Sequence, residues 1–176
     1  IHSINAAASA YEMRPLFDYF RGRRPVYALD LPGFGFSDRG DRVYSPDLYA
    51  TALLDFLHEI GAEEHGGADI VALSLGGEFA ARAAHHQPDM IHSLTLISPT
   101  GLSGRTRTSM ASQRARSILS FPLWSQAFYD ALVSRASLRS FLQRSFEGEI
   151  DTGLLEYSWA TGHQPGARFA PLYFLS

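Results

Sequence analysis

"VALSLGG", Val71–Gly77, decides how the rest of the chain is read. A short apolar run meets a serine, and small residues open a helical pattern behind it. A serine at such a strand-to-helix turn sits on a sharp, strained backbone, with its hydroxyl above the carboxyl end of the sheet. The backbone pinches there, so the positions two before and two after must be small. Here they are Ala72 and Gly76, and Gly77 adds room. Ala80, Ala81, Ala83 and Ala84 let the following helix lie close to a sheet. The helix start directs positive partial charge toward the serine, and the Leu75 N–H is positioned as an oxyanion donor. Ser74 is therefore the candidate nucleophile.

Outward from Ser74, strand and helix patterns alternate. "PVYALDLPG" carries a short apolar run, Val26–Leu31, closed by Pro-Gly, which reads as a buried strand. "YEMRPLFDYF" has helical spacing at Met13, Leu16, Phe17 and Phe20, with Ser9 and Glu12 spaced as a capping box and Pro15 setting the start near Arg14. "SPDLYATALLDFLHEIG" is a complete helix signal. Ser45 is the N-cap, Pro46 stands at the first position, Leu48, Leu53, Phe56, Leu57 and Ile60 form the apolar face, and Gly61 is the stop. "ADIVALS" and "MIHSLTLISP" are further strands, and the chain opens on what reads as the tail of another. Strands alternating with helices imply a parallel sheet, here of about four strands, in an α/β fold. From Gly101 on the strand signals stop. Residues 108–121, 122–135, 137–146 and 151–164 all read as helices, with Ser137 and Asp151 as N-caps.

Composition narrows the chemistry. A net charge of -3 gives no footprint for nucleic acid. The absence of cysteine excludes disulfides, thiolate metal sites and a cysteine nucleophile. All 15 basic residues are arginine, so no lysine serves as a base within these residues. No apolar run is long enough for a membrane span, and "IHSINAAASA" lacks the pattern of a secretory leader. The expectation is a cytoplasmic protein acting on a small molecule, with no cofactor or metal.

The elbow around Ser74 resembles that of the α/β-hydrolase family, whose pattern is small-x-Ser-x-small. The likeness extends to "LDLPGFGFSD" at Leu29–Asp38, similar to the end of the family's fourth strand, and to "LISPTG" at Leu96–Gly101, similar to its sixth. "IHSINAAAS" resembles the loop after the third strand, which supplies a second oxyanion N–H. By position that role falls to Ile4, with Ser3 where the family usually has glycine. The resemblance implies a partial α/β-hydrolase core over 1–101, a helical cap over 102–176, and first and last strands outside the chain. It also implies a serine hydrolase acting on an ester or similar carbonyl.

Such a serine needs a histidine as base and an acid to orient it. In this family both follow later strands, so the resemblance places them beyond the chain and leaves these residues inactive alone. His85 and His86 end the helix after the elbow, His92 sits at the base of a strand, and His2 belongs to the oxyanion loop. His163, on the cap, is assigned a substrate-contact or capping role. Asp30 and Asp38 organise a turn. The competing expectations are a non-catalytic binding protein of the same fold, or a C–C hydrolase, haloperoxidase or lyase at the same site.

Overall fold

A computed structural model describes residues 1–101 and 121–174. The helix expected at 108–121 falls outside these residues except for its last position. A 3₁₀ turn, Ala10–Met13, leads into α1 (Arg14–Phe20), which begins at Arg14 with Pro15 in its first turn. The capping box does not form: Ser9 makes no side-chain cap, and Glu12 turns elsewhere. α2 is Pro46–Glu59, β1 is Ala68–Leu73, α3 is Gly76–His86 and β2 is Ile91–Ile97. The later helices are α4 (Pro122–Leu132), α5 (Arg135–Ser145), α6 (Thr152–Gly162) and α7 (Phe169–Phe174).

β1 and β2 pair in parallel, with Ala72 opposite Leu96 and Leu73 opposite Ile97. About four strands were expected; these two are the strands among the described residues. Ile1 supplies one more ladder step. Its amine donates to the Val71 carbonyl at 2.7 Å, and the Leu73 N–H donates to the Ile1 carbonyl at 3.0 Å. Those two bonds bracket Ala72 in the slanted pattern of parallel strands. Val26–Leu31 forms no strand, because a ladder needs a neighbour at about 4.8 Å and a cleft of about 540 Å³ lies between this segment and β1. Met13, Phe17, Val26, Leu29, Phe56 and Ile60 line that cleft.

α2 and α3 pack with β1 through Ala50, Leu53, Leu54, Leu57, Ile70, Ala72, Ala80 and Ala83. Ser45 caps α2 as expected, its hydroxyl accepting the Leu48 N–H at 3.1 Å. The buried face of α2 is rotated from the expected one. Tyr49, Ala50 and Leu54 join Leu53 and Leu57 in the core, while Phe56 and Ile60 border the cleft. A second cluster, with Tyr129, Val133, Leu138, Leu142, Leu154 and Leu155, joins α4, α5 and α6 to Ala7 and Ala167. α7 packs with Leu31, Phe34, Tyr44, Tyr49 and Phe79 through Ala170. Asp151 caps α6 through the Gly153 and Leu154 N–H groups. The α5 cap is Ser134, accepting from the Ser137 N–H; Ser137 itself lies inside the helix.

At the strand ends remote from Ser74, Asp69 accepts from Ser93, His92 and Arg24. The Ser93 hydroxyl, then His92 and Arg24, hold its carboxyl well below the usual carboxylate range. His92 is thus tied to the base of the sheet, as expected from its position.

Candidate active site

Ser74 leaves β1 and reverses the chain into α3. Its φ of 54° is in the left-handed region, shared among the described non-glycine residues only with Ser98, at 45°, just beyond β2. Such a conformation costs on the order of 1–3 kcal/mol and persists only where surrounding bonds enforce it. They do so here. The Ser74 N–H donates to the Ile97 carbonyl at 2.9 Å, and its carbonyl accepts from Gly77 at 3.1 Å and Thr100 at 3.3 Å. Ser74 is half-buried as a residue, and its hydroxyl stands 3.4 Å from the Thr100 hydroxyl in an exposed contact.

The small-residue requirement has a visible cause. A Cβ on Gly76 would stand 2.4 Å from the His2 carbonyl oxygen and 3.1 Å from the Ile1 side chain. The start of α3 therefore lies directly against the Ile1–His2 backbone, which brings the Ile4 loop beside the elbow. Ala72 is fully buried beneath it. Ile4 and Leu75 both pack on the cluster of Leu31, Phe34 and Phe79. Neither the Leu75 nor the Ile4 N–H has a hydrogen-bond partner among the described residues, whereas the Ser74 and Ser3 N–H groups are both used. Leu75 follows Ser74 directly, and Ile4 lies two residues beyond His2, whose carbonyl meets Gly76.

His2 is fully buried and anchors the loop from below. Its Nδ1–H donates to the Ser3 carbonyl at 2.5 Å, and its Nε2 accepts the Leu31 N–H at 3.0 Å. Accepting at Nε2 requires a neutral ring. Burial lowers its pKa in agreement, against the opposing pull of Glu12 and Asp30. Asp30 accepts from the Ala10 and Phe36 N–H groups at 2.7 and 2.9 Å, the turn-organising role expected of it. The Asp38 carbonyl accepts the Gly33 N–H at 2.8 Å in the same turn.

None of the described histidines is hydrogen-bonded to Ser74. His58 lies near Glu63, and His85 and His86 end α3. His163 closes α6, its Nδ1–H donating to the Trp159 carbonyl at 2.7 Å and its ring against the Trp159 indole. Among the described residues His163 makes no hydrogen bond to Ser74, Leu75 or Ile4. The 540 Å³ cleft is not lined by those three residues either. No trio of His, Asp and Glu among the described residues is placed to hold a metal, and no described helix is long and apolar enough to cross a membrane. Thr100 and the loop contacts of Glu12 were not visible in the sequence, because both are contacts between distant segments.

A parallel pair closed by a serine elbow, with helices on the sheet, defines a hydrolase-type α/β fold. The chain belongs to the alpha/beta hydrolase family, whose model matches residues 1–176. It is 34% identical over 179 residues to the dihydrolipoyllysine-residue acetyltransferase component of the acetoin cleaving system of Cupriavidus necator, covering 91% of this chain and 44% of that protein. It is 40% identical over 77 residues to the esterase Rv0045c of Mycobacterium tuberculosis, covering 43% of this chain and 25% of that one. The crystal structure of E-2-(acetamidomethylene)succinate hydrolase superposes with a TM-score of 0.61 at 20% identity, over 98% of this chain and 62% of that one. The chain spans less than two thirds of each of these proteins.

Proposed function

We propose that this chain carries the nucleophile and oxyanion site of a serine hydrolase that cleaves an ester or similar carbonyl in a small molecule of the cytoplasm. The observation that carries this reading is the left-handed, half-buried Ser74 at the turn from β1 into α3, with the neighbouring Leu75 N–H unpartnered among the described residues. Family membership and the esterase among the relatives support it.

In this reading the Ser74 Oγ attacks the carbonyl carbon, and its proton passes to a histidine supplied from outside residues 1–176. The carbonyl electrons move onto oxygen, and the resulting oxyanion accepts from Leu75 and Ile4. Collapse of the adduct expels the alcohol, which takes the proton back from the imidazolium. Water, deprotonated by the same histidine, then attacks the acyl-serine and regenerates Ser74. No metal or cofactor takes part. The helices from α4 to α6 act as the cap, His163 is a cap residue available to substrate, and residues 1–176 alone turn over no ester.

The test is a burst experiment with p-nitrophenyl esters on protein made from the complete coding sequence. A burst stoichiometric with enzyme, abolished by Ser74→Ala, is expected. Hydrolysis that survives Ser74→Ala in folded protein would refute the assignment.

A further inference from the structure

The Ile4 loop has no regular structure, yet its backbone is fixed by two side chains that the mechanism leaves unused. Glu12, in the 3₁₀ turn before α1, engages both carboxylate oxygens. Oε2 accepts the Ser3 N–H at 2.9 Å, and Oε1 accepts from Asn5 Nδ2 at 2.8 Å. Asn5 Nδ2 also donates to the Ser3 hydroxyl at 3.0 Å, while Asn5 Oδ1 accepts the Ala7 N–H at 2.9 Å. The backbone donors of Ser3 and Ala7 are thereby consumed, and the N–H groups of Ile4, Asn5 and Ala6 between them are left over; Ile4 is the one that family position assigns to the oxyanion.

A carboxylate on a loop meant to hold negative charge works against that charge. Glu12 therefore contributes geometry: charge-assisted bonds to carboxylate are the strong ones, and two of them meet here on one side chain. We infer that Glu12 and Asn5 are interlocked positioning residues that aim the Ile4 N–H at the oxyanion. The inference rests on the reading of Ser74 given above.

The pair has a directional logic that a swap can test. With Glu12→Gln alone, the introduced amide turns either its NH₂ toward the NH₂ of Asn5 or a donor toward the Ser3 N–H. With Asn5→Asp alone, two carboxylates face each other. With both changes, the introduced glutamine still accepts from Ser3 and donates to the introduced aspartate, which still accepts from Ala7. The Ser3 hydroxyl rotates to donate to that aspartate.

The experiment follows the backbone amide resonances of Ser3 and Ile4, and the p-nitrophenyl ester kinetics, in protein made from the complete coding sequence. Each single variant is expected to displace both resonances. Each should also lower kcat by at least about tenfold with KM changed less than about twofold, below the effect of deleting a whole oxyanion donor. The double variant should return both readouts toward wild type. Single variants that leave the Ile4 resonance in place would overturn the inference, as would a double variant as impaired as the two singles combined. If a single variant fails to fold, the double decides: restored resonances and kcat support the pairing, and an unrestored double refutes it. Activity surviving in Ser74→Ala would instead overturn the nucleophile, while the amide resonances still report on the clamp.

Discussion

At Ser74 the backbone is held in a conformation that a serine does not adopt freely, and three hydrogen bonds from two other segments hold it there. The neighbouring Gly76 lets the start of α3 lie against the Ile1–His2 backbone. Gly76→Ala drives a methyl into the His2 carbonyl oxygen at 2.4 Å, a backbone atom that cannot simply rotate away. Urea unfolding is expected to show a loss of about 1–3 kcal/mol, with activity falling further as the Ile4 loop is pushed from Ser74. An alanine variant as stable as wild type would show that the loop and the elbow do not touch.

His2 sets a pH dependence at the same scale. Its pKa is lowered from 6.5 by burial, so below about 6.5 the unfolded chain takes up a proton that the folded one refuses. Stability from this group is complete above 6.5 and declines as the pH falls below it. The urea midpoint should therefore fall as the pH is lowered below about 6.5. The ring ¹⁵N shifts of His2 should stay those of the neutral Nδ1–H tautomer at pH 6.5. A His2 ring that titrates at its ordinary pKa would contradict the buried clip to Leu31.

The elements differ in how far the sequence betrays them. The ends of α2 were legible, because its N-cap, first-turn proline and glycine stop all act on nearest neighbours, whereas its buried face, set by distant segments, was not. The α6 cap at Asp151 was legible for the same reason, whereas the α5 cap was displaced from Ser137 to Ser134 because either serine satisfies the local rule. α7 went unread: it is six residues long with Pro171 inside, and its stability comes from packing on Tyr44 and Phe79 rather than from helical periodicity. Val26–Leu31 has the residues of a strand, but strand formation belongs to a pair of segments, and its composition says nothing of the partner. Two substitutions separate local from tertiary contributions. Ser45→Ala removes one cap bond and is expected to lower stability by about 1 kcal/mol. Leu155→Ala opens the cluster joining α4, α5 and α6, and should cost about 2–5 kcal/mol in urea unfolding. Equal losses in the two variants would show that the later helices carry no packed core of their own.

For the whole molecule, the α/β class and the serine elbow could be read from alternating patterns and from one seven-residue stretch. The parts of the site that depend on distant segments could not. Thr100 reaches the Ser74 hydroxyl across 26 positions, the His2 ring reaches Leu31 across 29, and Gly76 meets the backbone of His2 from the far side of β1. Fold topology creates these contacts, and neither composition nor spacing announces them. The result is a serine elbow held between the ends of one parallel pair and the start of α3, with no histidine among the described residues hydrogen-bonded to Ser74.

The most direct measurement is to treat protein made from the complete coding sequence with a fluorophosphonate and to map the adduct by peptide mass spectrometry. The account predicts one phosphonylated residue, Ser74, and no label in folded Ser74→Ala protein. A folded wild-type protein that stays unlabelled, or a label that persists on another residue in Ser74→Ala, would contradict it.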